Sequence, residues 1–451
     1  MSGYNILSYG AVGDGATNNA AAIQAAINAC HTAGGGRVLV PSGQRFRSGT
    51  IALKSDVELH VERGATLVAS TDPADYPLRI VAGALAGGDL TDNAAALAML
   101  ITADRAERIA LTGGGTIDGS GAQFVAEPGR YIHVMKPFRP FPVWLLGCRD
   151  VTIQDVTFRD AALWTVRLSG CEDVLVQTVR IHNDLKLPNS DGINFDRCRN
   201  VRVANCHIVA GDDCICIKNC VETAAWGGVS ENVVVTGCTL VSTSSALMVG
   251  CEARETMRNI VFDSCVIQGS GRGLGLRLSE GANIENVIAS NLVIETRLFH
   301  EKWWGRGEPI CISAMPWDAE RPCGTIKHVR ISNVLARGEN GVLIYGWQPG
   351  QIEDVVLEQV RIEIDRWTQW PGGLQDLRPS PGPELPALGT HGFLIHNASG
   401  VTLRNCEIVW GETRHSYYGH AVLAENAPGL TLDNFRGQAA HAEIEAVVRL
   451  T

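Results

Sequence analysis

The chain has 451 residues, of which 45% are hydrophobic and 19% are charged, and its formal net charge is −10. This negative balance argues against nucleic acid or an anionic membrane as the main partner, because both carry the same sign of charge. No apolar run approaches the roughly 18 residues that a membrane-spanning helix needs. An acidic substrate is still allowed, since a local basic cleft can exist on an acidic protein.

The N-terminus and the cysteines both bear on the compartment in which the chain works. The first residues, MSGYNILSYG, have neither a basic region nor an apolar signal core, which predicts a cytoplasmic protein, or a secreted or periplasmic one if a leader was removed. The 14 cysteines form no CxxC clusters of zinc-site spacing, and several recur at one phase of a repeated pattern. We therefore expect a buried cysteine ladder, with a disulfide framework as the alternative.

The first element predicted along the chain is a short helix. Two asparagines precede AAAIQAAINAC, in which Ile23 and Ile27 lie four positions apart on one helical face. A run of three glycines follows, as expected after a helix C-terminus. One amphipathic helix ahead of a long β region is typical of a cap, so residues 1 to about 50 are predicted to form an N-terminal cap.

From residue 150 onward one nine-residue sequence pattern recurs. Its copies are DVTIQDVTF, DVLVQTVRI, NVRVANCHI, NVVVTGCTL, NIVFDSCVI, NVIASNLVI, HVRISNVLA, DVVLEQVRI and GVTLRNCEI. Most copies start 23 to 32 residues after the previous one, and each alternates apolar and polar residues like a strand. Asn or Asp opens most copies, which indicates a turn in the left-handed region. The repeat predicts an all-β fold, a single-stranded right-handed parallel β-helix that forms one solenoid domain over residues 1–451.

Two insertions interrupt the repeat, at about residues 120–142 and about residues 364–390. Both combine aromatic residues, arginines and prolines. Insertions in a solenoid project from one side and often build the binding face, while poorly ordered surface loops are the alternative. In the first insertion, His133 and Arg139 are predicted to lie at the rim of a binding site.

The strongest chemical signal is NSDGINFDRCRNVRVANCHIVAGDDCICIK. Asp191 lies in NSDG, and Asp212 and Asp213 lie in GDDC, which starts about one coil further along the chain. Stacked coils about 4.8 Å apart would bring these carboxylates within several Å of one another. Clustered carboxylates repel, so one should keep its proton and serve as an acid while another activates water, as in glycoside hydrolysis. The alternative is that Asp beside Gly only forms turns.

These motifs, with YGAVGDG, PVWLLGCRDVTIQDVTF and ALWTV, make the chain resemble the family 28 glycoside hydrolases over nearly its whole length. This is the polygalacturonase family of the pectin-lyase-like β-helix superfamily. Its Asn-x-Asp before a glycine and its Gly-Asp-Asp one coil later correspond to Asn189, Asp191 and residues 211–213. The resemblance implies that Asp212 is the general acid, that Asp191 and Asp213 activate water, and that hydrolysis inverts configuration without a metal or other cofactor.

Two positions depart from the family pattern. Ser245 stands where the family has the His of Gly-His-Gly, and Ser279 replaces the Lys of Arg-Ile-Lys, while Arg277 is retained. In the family the Arg and the Lys of Arg-Ile-Lys bind a uronate carboxylate. Arginine can bind a carboxylate through two hydrogen bonds, so a uronic acid is still compatible with the sequence. The retained carboxylates with altered neighbours suggest glycosidase chemistry on a different or smaller sugar.

Further candidates for substrate binding surround the acids. Lys218 ends the CICIK strand, Glu252 follows MVGC, Arg272 lies in SGRGLGLRL, and Trp304 belongs to a Trp pair of which only one ring can face the site. Each has an ordinary alternative: an exposed lysine, a surface carboxylate, an arginine in a turn, a tryptophan in the core. The residues predicted to bind substrate are Asn189, Arg277, Lys218, Ser245, Glu252, Arg272, Trp304, Arg139 and His133.

Three functions compete at this point. The leading hypothesis is an inverting hydrolase of carbohydrate metabolism and pectin degradation, exo-acting on a uronic-acid-containing or related pectic oligosaccharide, since long insertions tend to block one end of a groove. A β-helix lyase would need a base at the sugar C5 and often calcium, which clustered acids could bind, so calcium dependence separates the two. A non-catalytic carbohydrate-binding or structural β-helix would be indifferent to Asp212→Asn. The expected partner is an oligosaccharide or polysaccharide, and the oligomeric state stays open.

Overall fold

The computed structural model describes residues 3–77, 98–321 and 323–450, and the chain divides into two compact units. Unit 1 comprises Met1–Asp212 and Cys220–Glu231, and unit 2 comprises Asp213–Asn219 and Asn232–Thr451. The predicted single domain over residues 1–451 stays a prediction, and its first two residues, residues 78–97, residue 322 and the last residue lie outside the described part.

The described residues of unit 1 form one α-helix and a long series of short strands. They are β1 Tyr4–Asn5, β2 Asp14–Asn18, α1 Ala20–Thr32, β3 Gly36–Val40, β4 Arg45–Ser48, β5 Ile51–Ala52, β6 Val57–Val61, β7 Thr66–Ala69, β8 Met99–Asp104, β9 Glu107–Thr112, β10 Thr116–Asp118, β11 Val125–Glu127, β12 Val134–Met135, β13 Phe141–Leu146, β14 Arg149–Gln154, β15 Thr157–Arg159, β16 Val166–Ser169, β17 Glu172–Gln177, β18 Arg180–His182, β19 Ile193–Asp196, β20 Arg199–Ala204 and β21 His207–Ala210. Short 3₁₀ segments occur at Ile6–Tyr9, Pro73–Asp75, Gly121–Phe124 and Val221–Trp226.

The elements of unit 2 are strands throughout its described residues, with β23 starting in the last residues of unit 1. They are β22 Ile215–Asn219, β23 Ser230–Thr236, β24 Thr239–Ser242, β25 Ser245–Ala253, β26 Met257–Asp263, β27 Val266–Ser270, β28 Arg272–Leu278, β29 Ile284–Thr296, β30 Glu308–Ala314, β31 Ile326–Gly338, β32 Val342–Gly346, β33 Ile352–Ile364, β34 Phe393–His396, β35 Ala398–Arg404, β36 Glu407–Trp410, β37 Val422–Glu425, β38 Thr431–Asp433 and β39 Val447–Leu450.

A repeating coil accounts for this order of strands. Unit 1 has a front sheet of β5, β8, β13, β16 and β19, and unit 2 has a front sheet of β22, β25, β28, β30, β32, β34, β37 and β39; within each unit a strand pairs in parallel with the next. Between front strands the chain passes through the back sheet, as one long strand or as two short ones such as β14 and β15. The predicted parallel β-helix is therefore confirmed.

The first residue of each copy of the nine-residue pattern adopts the backbone conformation that the sequence predicts. All nine openers have φ between +52° and +62°, the left-handed region that Asn, Asp and Gly tolerate best. These openers are Asp150, Asp173, Asn200, Asn232, Asn259, Asn286, His328, Asp354 and Gly400. The recurring polar opener thus marks the same turn in every coil.

The predicted helix is confirmed as α1. Its buried face consists of Ile23, Ala26, Ile27 and Cys30, and it packs against the first strands of unit 1. Gly35 follows at φ +102°, and a Cβ there would lie 2.5 Å from a backbone oxygen, so the stop after the helix requires glycine. None of the helices in the described ranges is long and apolar enough to cross a membrane.

The cysteines pack as core residues. Twelve of the 14 are buried, and only Cys251 and Cys323 are partly exposed. The four that recur at one phase of the repeat, Cys206, Cys238, Cys265 and Cys406, are all buried, as the ladder interpretation predicts. In a coil interior this small side chain fills space between stacked strands.

Both insertions are packed through specific contacts. In the first, the Phe138 ring lies 5.6 Å from Tyr76 and 6.0 Å from Phe124, measured between ring centroids. In the second, the backbone N–H groups of Trp367 and Thr368 donate to the buried Glu339 carboxylate at 2.8 and 2.7 Å. These contacts hold the first insertion against Tyr76 and the second against Glu339, each within its own unit.

Candidate active site

In unit 1 the turn that carries Asp191 is fixed by the buried side chain of Asn183. Its amide nitrogen donates to the Ser190 carbonyl at 2.9 Å and to the Thr165 hydroxyl at 2.8 Å. Thr165 in turn donates its N–H and its hydroxyl to the Asp191 carbonyl, at 2.9 and 2.7 Å. The Asp191 carboxylate accepts from Asn194 at 3.2 Å, so both the backbone and the side chain of Asp191 are held.

Gly211 brings the second acidic turn against the first. Its N–H donates to the Ser190 hydroxyl at 3.1 Å. A Cβ at this position would lie 2.4 Å from the Leu187 oxygen and 2.6 Å from the Asp184 oxygen, distances that real Cβ atoms do not show. The close approach therefore requires glycine here, immediately before Asp212.

Gly211→Ala should lower the free energy of unfolding by about 2 kcal/mol, because the methyl group overlaps backbone atoms that cannot move independently. Urea unfolding followed by circular dichroism would measure the change. The matched control is Gly228→Ala in the same unit, where an added Cβ meets nothing within 4 Å. Equal stability of the two variants would contradict the packing described for Gly211.

Arg139, in the first insertion, bonds to the acidic turn that carries Asp191. Its guanidinium donates to the Pro188 carbonyl at 2.9 Å and to the Asn189 side-chain oxygen at 3.1 Å. Burial lowers the pKa of Arg139 to about 10, while the negative charges of Asp191 and Asp212 act in the opposite direction. Arg139 thus lies buried close to both carboxylates, deeper than the predicted rim position; its contact with substrate stays a prediction.

Burial of these carboxylates is nearly complete. Asp191 is 2% exposed and Asp212 is 8% exposed. A carboxylate withdrawn from water in this way needs polar or charged neighbours, which Arg139 and Asn194 supply. Unit 1 therefore holds two nearly buried acids whose charges both act on Arg139.

His133 connects the first insertion to the loop after β18. Its Nδ1 accepts from the Gly129 N–H at 3.0 Å, so Nε2 carries the proton and donates to the Asp184 carboxylate at 3.1 Å. Its backbone N–H donates to the Lys186 carbonyl at 2.9 Å. These bonds give His133 a role in positioning the insertion, and its predicted contact with substrate stays a prediction.

Unit 2 begins with the third acid. Asp213 is 7% exposed, and one of its oxygens accepts from the Ser244 hydroxyl at 2.9 Å and from the Ser245 N–H at 3.0 Å. Hydrogen bonds to a carboxylate are stronger than those between neutral groups, so they hold the Asp213 side chain in place. Ser245, at the family's His position, also accepts from Arg272 at 3.4 Å, so it links Asp213 to a buried arginine.

Arg272 is enclosed within unit 2 together with two acids. Its guanidinium lies 3.3 Å from Asp376 and 3.7 Å from Glu308, and all three side chains are fully buried. Burial alone would raise the pKa of the Asp376 carboxyl, but Arg378, Arg277 and Arg272 hold it well below its usual range. These contacts make Arg272 a structural residue of the site, while its predicted binding of substrate stays a prediction.

Arg277 and Lys218 are the remaining cations predicted for the site. Arg277 is almost fully buried and donates from Nε to the Ser313 hydroxyl at 3.3 Å. The Lys218 ammonium lies 3.1 Å from the Glu252 carboxylate, which is about one-third exposed. The structure therefore pairs Lys218 and Glu252, two residues that the sequence singled out separately.

The two neighbouring tryptophans differ in exposure, as expected for adjacent residues. Trp303 is buried, whereas Trp304 is half-buried and lies 4.8 Å beneath the Arg378 guanidinium. A tryptophan face stacked against arginine is a favourable cation–π contact. Trp304 is thus the ring with a surface still in reach of a ligand, and its binding role stays a prediction.

Four residues of this arrangement were not foreseen from the sequence: Asn183, Ser190, Ser244 and Asp376. Ser190 had a signal because it lies within the NSDG motif, and Ser244 had a weak one because it stands next to Ser245, whereas Asn183 lies outside the acidic motifs. Asp376 had none, since it lies 104 positions from its partner Arg272. Within the described ranges no group of three or more His, Cys, Asp or Glu residues could hold a metal ion. The predicted independence from cofactors is still a prediction.

The stacked parallel coils and the acidic turns at the starts of the front strands define a parallel β-helix protein with buried carboxylates. The family described as "Glycosyl hydrolases family 28" matches residues 30–298, and the chain belongs to this family.

Curated relatives agree with this assignment. A "Probable polygalacturonase" from Vitis vinifera is 28% identical over 304 residues, covering 65% of this chain and 60% of the relative. An "Exo-poly-alpha-D-galacturonosidase" from Dickeya chrysanthemi is 30% identical over 256 residues, covering 47% of this chain and 41% of the relative. The chain thus spans less than two thirds of the length of these relatives.

Solved structures share the fold. An exopolygalacturonase from Thermotoga maritima superposes with a TM-score of 0.60 at 22% identity, covering 96% of this chain and 92% of that chain. The family 28 exopolygalacturonase of Yersinia enterocolitica gives 0.66 at 18% identity, covering 95% and 78%. This likeness confirms the right-handed parallel β-helix.

Proposed function

We propose that the chain is an inverting glycoside hydrolase of the polygalacturonase type, exo-acting on a uronic-acid-containing or related pectic oligosaccharide. One observation carries the proposal: Asp191 and Asp212 are both nearly buried on turns joined by the Gly211–Ser190 hydrogen bond, and the charges of both act on Arg139. Family membership and the names of the relatives, which include an exo-acting galacturonosidase, support the same reaction.

In the proposed mechanism Asp212 protonates the glycosidic oxygen that leaves. Asp191 and Asp213 accept a proton from the water that attacks the anomeric carbon on the opposite face. Arg139 supplies a positive charge that acts on both Asp191 and Asp212 and offsets part of the cost of burying them. Asp213 accepts two hydrogen bonds on one oxygen, from Ser244 and Ser245, which fix the orientation of its carboxylate.

The proposed substrate follows from which positively charged residues of the family pattern this chain has and which it lacks. Arg277 is retained and can bind a uronate carboxylate, whereas Ser245 and Ser279 stand at the family's His and Lys positions. A site with Ser in place of the Lys, and a neutral Ser in place of the His, attracts a polyanion less strongly than the family's site. This supports a short substrate with few carboxylates.

The test is digestion of a galacturonate trisaccharide in EDTA, with the products identified by mass spectrometry. The proposal predicts a saturated monosaccharide and a saturated disaccharide. A product unsaturated between C4 and C5, or loss of activity in EDTA, would instead identify a lyase. Absence of turnover on this and related pectic oligosaccharides would favour a carbohydrate-binding β-helix.

A further inference from the structure

The front sheet of unit 2 carries a row of polar side chains that begins at Arg277. Strand register places Arg277 beside Ser313, Ser313 beside Tyr345, Tyr345 beside His396, and His396 beside Glu425. We call these five residues the polar row. Because neighbouring strands lie about 4.8 Å apart, the row is about 19 Å long.

The polar row faces outward from the coils. The residue before each of its three middle members is Ile312, Ile344 or Ile395, and all three isoleucines are fully buried in the interior. Since successive side chains of a strand point to opposite faces, the row lies on the outer face of the front sheet.

The outer row next to it is apolar and covered. It contains Cys311, Leu343 and Leu394, which cluster with Leu377 of the second insertion. The insertion therefore protects the apolar row from water. Tyr345 and His396 in the polar row stay half-buried, so this row borders the covered area and keeps a surface that a ligand can reach.

The two ends of the polar row carry opposite charges. Arg277 is buried at one end, and the Glu425 side chain is 53% exposed at the other. Between them the Tyr345 and His396 rings stack with centroids 4.4 Å apart and planes 20° apart. His396 Nδ1 lies 3.0 Å from the Glu425 carboxylate, so the end remote from Arg277 is an aromatic pair edged by an acid.

We propose that the polar row binds the sugar units beyond the one held by Arg277, and that its Tyr345–His396–Glu425 end selects a neutral unit over a uronate. This rests on the proposed function. The stacked rings offer an apolar surface to the C–H face of a sugar ring, and the Glu425 carboxylate accepts hydrogen bonds from hydroxyl groups. The same carboxylate repels a second uronate. This unfavourable contact disfavours a charged unit at that position and so selects a neutral one.

The test compares the binding of two trisaccharides by calorimetry, in an Asp212→Asn background so that neither is consumed. One is a galacturonate trisaccharide. The other is the same trisaccharide with a free carboxylate on the uronate at the Arg277 end and methyl esters on its other carboxyl groups. The esterified trisaccharide is expected to bind about fivefold more tightly, and Glu425→Gln should remove most of this preference. Glu353→Gln, an identical change at an exposed position of the back sheet in the same unit, should leave the preference unchanged.

An unchanged preference in Glu425→Gln, a preference for the fully charged trisaccharide, or failure of both to bind would overturn this inference. Turnover by the protein with Asp212 intact is measured separately. If it hydrolyses neither trisaccharide but the binding preference depends on Glu425, the proposed function fails and the selection inference stands. If it hydrolyses them and Glu425→Gln changes nothing, only the selection inference fails.

Discussion

Asp212→Asn is expected to lower kcat on a pectic oligosaccharide by between about 10²-fold and 10⁴-fold, because an amide cannot supply the proton that the leaving oxygen needs. The side chain keeps its size, and the Gly211–Ser190 contact beside it is unaffected, so the binding of substrate should change little. Initial rates of release of reducing sugar would measure the loss, and calorimetry would show that the ligand still binds.

The control for this variant is Asp150→Asn. Asp150 is an exposed residue of unit 1 at φ +55°, a conformation that asparagine tolerates as well as aspartate does. Asp150→Asn makes the same chemical change at a position away from the acidic turns, so this variant should keep full activity. Full activity in Asp212→Asn would remove Asp212 from the mechanism.

Arg272→Met is expected to lower the free energy of unfolding by about 3 to 5 kcal/mol. The substitution keeps a long apolar side chain but leaves the fully buried carboxylates of Asp376 and Glu308 without this cation. Urea unfolding at neutral pH would measure the change. A double variant with Asp376→Asn should recover part of the loss, because it removes one of the buried charges at the same time.

The comparison for Arg272→Met is Arg330→Met, which breaks an exposed pair with Asp354 on the back sheet of the same unit. Exposed ion pairs contribute about 0 to 1 kcal/mol, so this variant should stay close to the unsubstituted protein. A loss for Arg272→Met no larger than that for Arg330→Met would show that the buried network contributes little to stability.

The coil was predictable because its signals are local and repeated. Each copy contains a strand pattern and an opener that tolerates positive φ, such as Asp150 or Asn200, so nine weak signals add up to one architecture. The helix α1 likewise combines an apolar face with a glycine stop such as Gly35. The acidic motifs were visible because they lie close together in sequence.

The surroundings of the acids were much less predictable. Arg139 reaches Asn189 across 50 positions, and Arg272 reaches Asp376 across 104. Each contact depends on how an insertion folds back, which is set by tertiary packing and not by local pattern. Arg139 was expected at the rim for this reason, and it lies buried beside the acids.

The most direct test of the central claim is the anomeric configuration of the first product. Proton NMR spectra, recorded immediately after a galacturonate trisaccharide is mixed with the protein, would follow the anomeric signal of the released sugar before it mutarotates. The mechanism with Asp212 as acid and a water activated by Asp191 and Asp213 predicts that the product first appears with configuration opposite to that of the cleaved bond. A product that first appears with retained configuration would contradict it, since retention requires a carboxylate to attack the sugar itself.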